Sequence, residues 1–322
     1  MNANAEQLNN EGVQYFLKGK FSDAKRKYEQ ALELSPSHTT TLNNLGMVFL
    51  QEKEYKLAED YFKKAISITE KASYLANLGH VYANQNELGL AEQQYIKAIE
   101  KDQRSVSAHK SLASLYQFTG NYENSISIWN YILAELSSDA QFKINLAKDH
   151  IQLKNYVLAM ELLMEVAQQD IYNHIAYYYI SWIQLHHKNY GLATESIYRA
   201  LGIEPNNISY RKLAATLHMS LSEFEKANKH WDFILNIDEN QHATRIDKAI
   251  ALLSIKRFDE ALNELNRVLG SEEKNAKALF YKATVLLEIK ETDQARELFN
   301  ELSNHKNPFQ QKAKTIIDEL NA

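Results

Sequence analysis

Residues 42–65 read LNNLGMVFLQEKEYKLAEDYFKKA, and this stretch decides the fold. Apolar residues recur every three or four positions on both sides of a polar break near residue 53, as is typical of two amphipathic helices joined by a tight turn. Small residues equivalent to Ala58 recur at spacings of 34, 33 and then six times 34 residues: Ala24, Ala58, Ala91, Ser125, Ala159, Ala193, Ala227, Ala261 and Ala295. The sequence therefore predicts nine tandem copies of one helix pair.

A second column of small residues lies in the first helix of each copy. Its members are Gly12, Gly46, Gly79, Ala113, Ala147, Ser181, Ala215, Ala249 and Ala283. A position that is always Gly, Ala or Ser indicates a point where two helices cross too closely for a larger side chain.

The pattern Leu-x-x-Leu-Gly-x-x-Phe/Tyr, followed by Ala-x-x-x-Tyr/Phe-x-x-Ala, resembles the tetratricopeptide repeat family. The first repeat matches best, with Gly12, Tyr15, Ala24, Tyr28, Ala31 and Pro36. The resemblance covers about residues 5–309 and implies an all-α, right-handed solenoid superhelix of antiparallel helix pairs. The sequence departs from the family where a large aromatic residue is expected early in the repeat, at His109, Lys143, Arg211 and Arg245.

The repeats follow one another without a linker, so we expect a single domain over residues 1–322. Its repeats are predicted at about residues 5–38, 39–71, 72–105, 106–139, 140–173, 174–207, 208–241, 242–275 and 276–309. In residues 310–321, Ala313, Ile316 and Ile317 share one helical face, which predicts a helix that covers the apolar end of the last repeat.

Composition narrows the classes of partner and compartment. The formal net charge of −5 argues against a nucleic-acid surface. The chain has no cysteine, which excludes disulfides and thiolate metal sites. The N-terminal residues lack the features of a signal peptide, and no stretch approaches 18 apolar residues. We expect a cytoplasmic protein without a membrane span, either a monomer or a weak homodimer.

Motifs for catalysis are missing from the sequence. The segment from Gly12 to Lys20 differs from a phosphate-binding loop in spacing, and Phe21 stands where Ser or Thr is required. There is no His-Glu-x-x-His, and the neighbouring His186 and His187 point about 100° apart on a helix. We therefore expect no enzyme activity, no cofactor and no metal.

Asparagines recur at one place in the first helices, which line the concave groove of this family. They are Asn10, Asn44, Asn77 and Asn145, with Ser111 in the fourth repeat. An amide both donates and accepts hydrogen bonds, so such a column resembles the asparagine ladder with which some long superhelices of this type bind extended polypeptide. The alternative is that asparagine is simply tolerated at exposed helix positions.

The first helix of the sixth repeat is apolar nearly all round. Tyr178, Tyr179 and Trp182 form a second apolar stripe on its groove side, which is typical of an interface. The alternative is that the repeats themselves cover these rings.

The clamp that binds chaperone tails in this family is matched at only two positions, Lys110 and Asn145. Ser114, Ile175 and Tyr179 stand at its other positions, so we expect a different ligand. The resulting hypothesis is a non-enzymatic scaffold that binds an extended peptide or partner segment in its groove. Two alternatives stay open: an accessory subunit that recruits substrates to a separate enzyme or assembly complex, and a signalling-peptide receptor.

Overall fold

The computed structural model describes residues 3–321, and the helix pairs follow the predicted period. The first helices of the repeats are α1 (Ala3–Leu17), α3 (Thr39–Gln51), α5 (Ala72–Asn84), α7 (Val106–Phe118), α9 (Ala140–Gln152), α11 (His174–His186), α13 (Ile208–Ser220), α15 (His242–Ser254) and α17 (Ala276–Glu288). The second helices are α2 (Phe21–Leu34), α4 (Tyr55–Ile68), α6 (Leu88–Lys101), α8 (Tyr122–Tyr131), α10 (Tyr156–Gln169), α12 (Tyr190–Ile203), α14 (Phe224–Ile237), α16 (Phe258–Ser271) and α18 (Thr292–Asn304). The α8 helix continues as a π-helix over Ile132–Leu136, and α19 (Gln310–Asn321) follows the last pair.

Residues 3–321 contain no strand, so the all-α fold class predicted from the period is confirmed. None of these helices combines the length and apolarity that crossing a membrane requires. The chain divides into two compact units, one ending at Leu162 and the other beginning at Leu163, and both positions lie in α10. The interpretation as a single domain stays a prediction.

The two small-residue columns are the points where paired helices meet. Every residue of the column around Ala58 is fully buried, and the matching column in the first helices is buried throughout. A Cβ atom built on Gly46 would lie 2.8 Å from the Cε1 atom of Phe62, and Gly12 and Gly79 face Tyr28 and Tyr95 in the same way. The aromatic ring of the second helix thus occupies the volume that a side chain on the first helix would need.

Serine at a crossing point keeps its hydroxyl hydrogen-bonded. Ser125 donates to the carbonyl oxygen of Ala113 at 3.1 Å, and Ser181 donates to that of Ala193 at 2.8 Å. Each hydroxyl therefore reaches across to the other small residue of its own repeat. This satisfies a buried polar group and explains why serine can replace alanine at these positions.

The turn between the two helices of each repeat places one residue in the left-handed region. These residues are Gly19, Lys53, Asn86, Gly120, Lys154, Lys188, Ser222, Lys256 and Lys290, with φ between 58° and 75°. Only two of the nine are glycine, so the turn is imposed by the packing of the helices at a local cost of about 1–2 kcal/mol in each non-glycine repeat. The last helix, α19, buries Ala313 and packs Ile316 and Ile317 against the core of the ninth repeat, as the sequence predicted.

Alanine substitutions at two glycines distinguish the effect of close packing on stability from the effect of backbone flexibility. In Gly46→Ala the new methyl group meets the Phe62 ring, so we expect the free energy of unfolding to fall by about 1–3 kcal/mol. Gly89 also lies in a helix, but an added Cβ there meets nothing within 4 Å. Gly89→Ala should therefore raise stability, by up to about 1 kcal/mol. Denaturant unfolding of both variants checks this, and equal effects would contradict the packing explanation.

Candidate partner-binding surface

The first candidate surface is the first-helix face of the first unit, which is formed by residues of α1, α3, α5 and α7. Successive first helices contact one another directly along this series. This contact brings Asn10, Asn44, Asn77 and Ser111 into a row. Asn10 is exposed and the other three are half-buried.

The asparagines of this row are already hydrogen-bonded to the residues that precede them in the sequence. The Nδ2 atom of Asn77 donates to Oδ1 of Asn43 at 2.8 Å, and Asn43 donates to Asn44 at 3.5 Å. Asn44 donates to Asn9 at 3.0 Å, and Asn9 donates to Asn10 at 3.4 Å. Five amides thus form one hydrogen-bonded series, in which each bond between repeats is donated to the preceding repeat. The chain joins repeats one, two and three.

Two members of this chain were not predicted as functional. Asn9 and Asn43 are buried, with 3% and 9% of their surface exposed, and both accept bonds from the next repeat. The doublets Asn9-Asn10 and Asn43-Asn44 were visible in the sequence. Only the packing shows that Asn9 accepts a hydrogen bond from Asn44 and that Asn43 accepts one from Asn77. The row therefore joins neighbouring repeats, and its role in peptide binding stays a prediction.

Asn145 does not belong to this series of hydrogen-bonded amides. It is half-buried, and its Oδ1 atom accepts a long bond of 3.4 Å from Gln141. Its backbone carbonyl accepts from Gln117, also at 3.4 Å.

The hydrogen-bonded chain makes a prediction about stability. Asn43→Ala leaves the donor of Asn77 without its acceptor and removes the link to Asn44, so the free energy of unfolding should fall by about 1–3 kcal/mol. Asn145→Ala removes only a long bond at a half-buried site and should change stability much less. Denaturant unfolding of both variants measures the difference. If Asn43→Ala costs no more than Asn145→Ala, the chain does not stabilise the repeats.

Lys110 lines a pocket of about 490 Å³ between the third and fourth repeats. The pocket is lined by His80, Ala83, Asn84, Leu88, Tyr95, Ser107, Lys110, Ser111, Ser114, Leu115 and Phe118. This set contains a lysine and three serines from one face of α7, and no carboxylate. Its charge therefore suits an acidic group.

The lining of this pocket contains a histidine, His80, with a hydrogen-bond partner at each ring nitrogen. Ser111 donates to the carbonyl oxygen of Ser107 at 2.9 Å, so its oxygen accepts from Nε2–H of His80 at 3.5 Å. The other ring nitrogen, Nδ1, then accepts from the hydroxyl of Tyr95 at 2.8 Å. Burial lowers the pKa of His80, which favours this neutral form. Because the proton of Ser111 points to a backbone carbonyl and not to the histidine, this pair is not arranged as a nucleophile and its base.

Two exposed apolar side chains on this face escaped the sequence analysis. Leu17 is 73% exposed and Phe118 is 74% exposed. Each is the last residue of its first helix, where the neighbouring repeats have the polar residues Gln51 and Asn84. This difference between equivalent positions of neighbouring repeats could have pointed to Leu17 and Phe118 from the sequence. Phe118 also lines the pocket beside Lys110.

The aromatic patch of the sixth repeat, in the second unit, is half-buried. Tyr178 stacks on Tyr210 with ring centroids 5.0 Å apart and meets Tyr179 edge-on at 5.0 Å. Trp182 stacks on His186 at 5.7 Å. Burial raises the pKa of Tyr178 and of Tyr179. The repeats thus cover part of each ring and leave part accessible, which combines the two alternatives that the sequence left open.

A separate histidine cluster lies among α12, α13 and α14. Nδ1–H of His218 donates to the carboxylate of Glu223 at 2.7 Å, and Nε2 of His218 lies 2.8 Å from the hydroxyl oxygen of Tyr198. The same hydroxyl oxygen accepts from Nε2–H of His230 at 3.2 Å. Nδ1 of His230 is buried without a hydrogen bond. Within residues 3–321 no group of three metal-ligating side chains is arranged to hold an ion.

This cluster predicts a pH dependence of stability. Burial, followed by the charges of His218 and Arg211, lowers the pKa of His230 from 6.5 to about 4. The unfolded chain therefore binds the proton more tightly, and stability is lost as the pH falls from about 6.5 towards 4, on the order of 3 kcal/mol in total. Denaturant unfolding at pH 7 and pH 5 should show a smaller difference for His230→Gln than for the wild type. His305→Gln, at an exposed histidine, should leave the difference unchanged.

Family models confirm the repeat. Models described as tetratricopeptide repeat match residues 5–71, 71–106 and 252–315. The chain belongs to the tetratricopeptide repeat family. Proteins of this family generally mediate protein–protein interactions.

Relatives of similar sequence match only short segments. An uncharacterized protein, ycf37, of Pyropia yezoensis is 39% identical over 57 residues, which are 18% of this chain and 32% of that protein. Tetratricopeptide repeat protein 6 of Homo sapiens is 30% identical over 71 residues, 22% of this chain and 14% of that protein. The matched segments thus span a third or less of these relatives.

Solved structures show the same fold over most of the chain. The C-terminal part of a TPR repeat-containing protein from Cytophaga hutchinsonii superposes with a TM-score of 0.58 at 16% identity, covering 74% of this chain and 98% of that one. A chain of the APC/C hetero-tetramer Cut9–Hcn1 superposes with a TM-score of 0.58 at 16% identity, covering 87% of this chain and 55% of that one. Pseudomonas aeruginosa PilF superposes with a TM-score of 0.56 at 19% identity, covering 66% of this chain and 97% of that one. At these identities the likeness concerns the fold alone.

Proposed function

We propose that this chain is a non-enzymatic scaffold that binds an extended segment of a protein partner along the first-helix face of its first unit. Family membership supports a role in protein–protein interaction. The face itself supports an extended ligand, because its row of polar groups runs from repeat to repeat.

Spare hydrogen-bonding capacity in this row supports contact with a peptide backbone. The Nδ2 atom of Asn10 makes no hydrogen bond within residues 3–321, and neither does Oδ1 of Asn77. Packed helices lie about 8–10 Å apart, and an extended chain advances about 3.3 Å per residue. Successive repeats would therefore meet the backbone of the partner at about every third residue.

The pocket between the third and fourth repeats gives this proposal its strongest support. Lys110 supplies a positive charge, the pocket lining contains no carboxylate, and Phe118 adds an exposed ring at the same place. A large exposed aromatic side chain beside polar groups is characteristic of a contact site. We expect the bound segment to place an acidic residue at Lys110 and an apolar residue against Phe118.

A random peptide library displayed on phage and selected on the whole chain tests this proposal. Selected peptides should share an acidic residue next to an aliphatic or aromatic one. Lys110→Glu should weaken their binding by about tenfold or more, because it replaces attraction by repulsion. Phe118→Ala should weaken it as well, without loss of stability, since this side chain is exposed.

The matched controls are Lys56→Glu and Val157→Ala. Lys56 is an exposed lysine on a second helix, and Val157 is 72% exposed, close to the value for Phe118. Neither control should change binding. A basic consensus, or equal losses in the controls and the pocket variants, would refute the proposed site.

The half-buried patch in the second unit is proposed as a further contact for an apolar side chain. Tyr179 suits a test, because Tyr178 and Trp182 pack against the apolar core formed by the sixth and seventh repeats. Peptides insensitive to Lys110→Glu but lost with Tyr179→Ala would map to this patch. If Tyr179→Ala affects no selected peptide, the patch is only a packing feature.

A further inference from the structure

Two repeats of the second unit pair an arginine with an aromatic ring at matching positions. In the sixth repeat the guanidinium of Arg199 on α12 lies 5.6 Å from the ring centre of Tyr177 on α11. In the seventh repeat the partners are exchanged: Arg211 on α13 lies 3.6 Å from the ring centre of Phe233 on α14. Both pairs join the fourth residue of the repeat to the residue 22 positions later. An arginine over an aromatic face is attracted electrostatically by the π system and covers apolar surface with its stem.

The fourth repeat has aromatic rings at both of these positions. His109 and Tyr131 stack with ring centres 5.0 Å apart and an interplanar angle of 27°. The ring of His109 is held by its Nδ1–H, which donates to the carbonyl oxygen of Ser105 at 3.0 Å. Within residues 3–321 no lysine or arginine lies over either ring. Two rings are therefore paired here, where the sixth and seventh repeats pair a ring with a cation.

An open cavity of about 450 Å³ lies at this stack, among α6, α7 and α8. It is lined by Ile96, Ile99, Glu100, Gln103, His109, Leu112, Ser127, Ile128 and Tyr131. Tyr131 is 40% exposed, whereas His109 is 6% exposed, close to the 8% of Tyr177 at the matching position of the sixth repeat. The lining contains one carboxylate, Glu100, and no cationic residue. It shares no residue with the pocket of Lys110.

We propose that this cavity is a second docking site, which takes an arginine side chain of a protein partner. The guanidinium stacks on the open face of Tyr131 and pairs with the carboxylate of Glu100. Its methylene groups lie against Ile96, Ile99 and Ile128. Arginine fits better than lysine, because its planar group stacks on a ring and binds a carboxylate with two donors at once.

Two observations select this occupant. The sixth and seventh repeats each hold an arginine against an aromatic ring between these two positions, so the helix pair accommodates a guanidinium beside a ring there. The charge of the cavity is complementary, because its lining contains one carboxylate and neither lysine nor arginine. The proposal does not depend on the first-helix face, because no residue is common to both.

The probe is a short peptide, acetyl-Leu-Arg-Leu-amide, compared with the same peptide carrying citrulline, which has the shape of arginine without its charge. Both are titrated into the whole chain labelled with ¹³C at the isoleucine δ1 methyl groups. The arginine peptide should shift the methyl signals of Ile96, Ile99 and Ile128, and the citrulline peptide should bind at least about threefold more weakly.

Three variants complete the test. Glu100→Gln should weaken the arginine peptide by about threefold or more, whereas Glu33→Gln should not; Glu33 is exposed and is the equivalent residue of the first repeat. Tyr131→Arg copies the sixth repeat and should abolish binding by supplying the cation internally, with an unchanged melting temperature as evidence of folding. Equal binding of the two peptides, equal losses in Glu100→Gln and Glu33→Gln, or no shift of the three isoleucines would each overturn the proposal.

Discussion

The close crossing of the two helices in each repeat is the contact on which the rest of the structure depends. A residue without a large side chain on the first helix, such as Gly46, lets the ring of Phe62 lie directly against the backbone. The neighbouring small column, fully buried in all nine repeats, keeps the second helix equally close. Because each helix pair is thin at this point, the next pair can stack on it, and the apolar surface of each repeat is buried by its neighbour.

Polar side chains then distinguish repeats that are otherwise alike. The first three repeats are joined by a chain of asparagine amides. In the fifth repeat Asp149 stands where the third and fourth repeats have Val81 and Leu115, and its carboxylate is 1% exposed. It accepts from Gln117 at 2.6 Å, and burial raises its pKa. Such groups stabilise only the correct neighbour, because a shifted stack would leave them buried without a partner.

The two candidate docking sites lie where single repeats depart from the common pattern. Phe118 is apolar where the neighbouring repeats are polar, and the pocket beside it carries the charge of Lys110. Tyr131 stacks on His109, whereas the sixth and seventh repeats pair an arginine with a ring at the same two positions. Both proposed sites thus rest on residues that differ from their equivalents in other repeats.

The sequence by itself determined the helix pairs, their period and their packing columns, since these follow from the spacing of small and apolar residues along one chain. It also located Lys110 and the row containing Asn44 and Asn77 on the first helices. Only the tertiary structure decided what these residues contact. The acceptors Asn9 and Asn43 belong to neighbouring repeats, and so do the residues that enclose the two cavities. The physical reason is that helical periodicity is a local property, whereas hydrogen bonds between repeats depend on side chains about 34 residues apart, whose directions no spacing rule specifies.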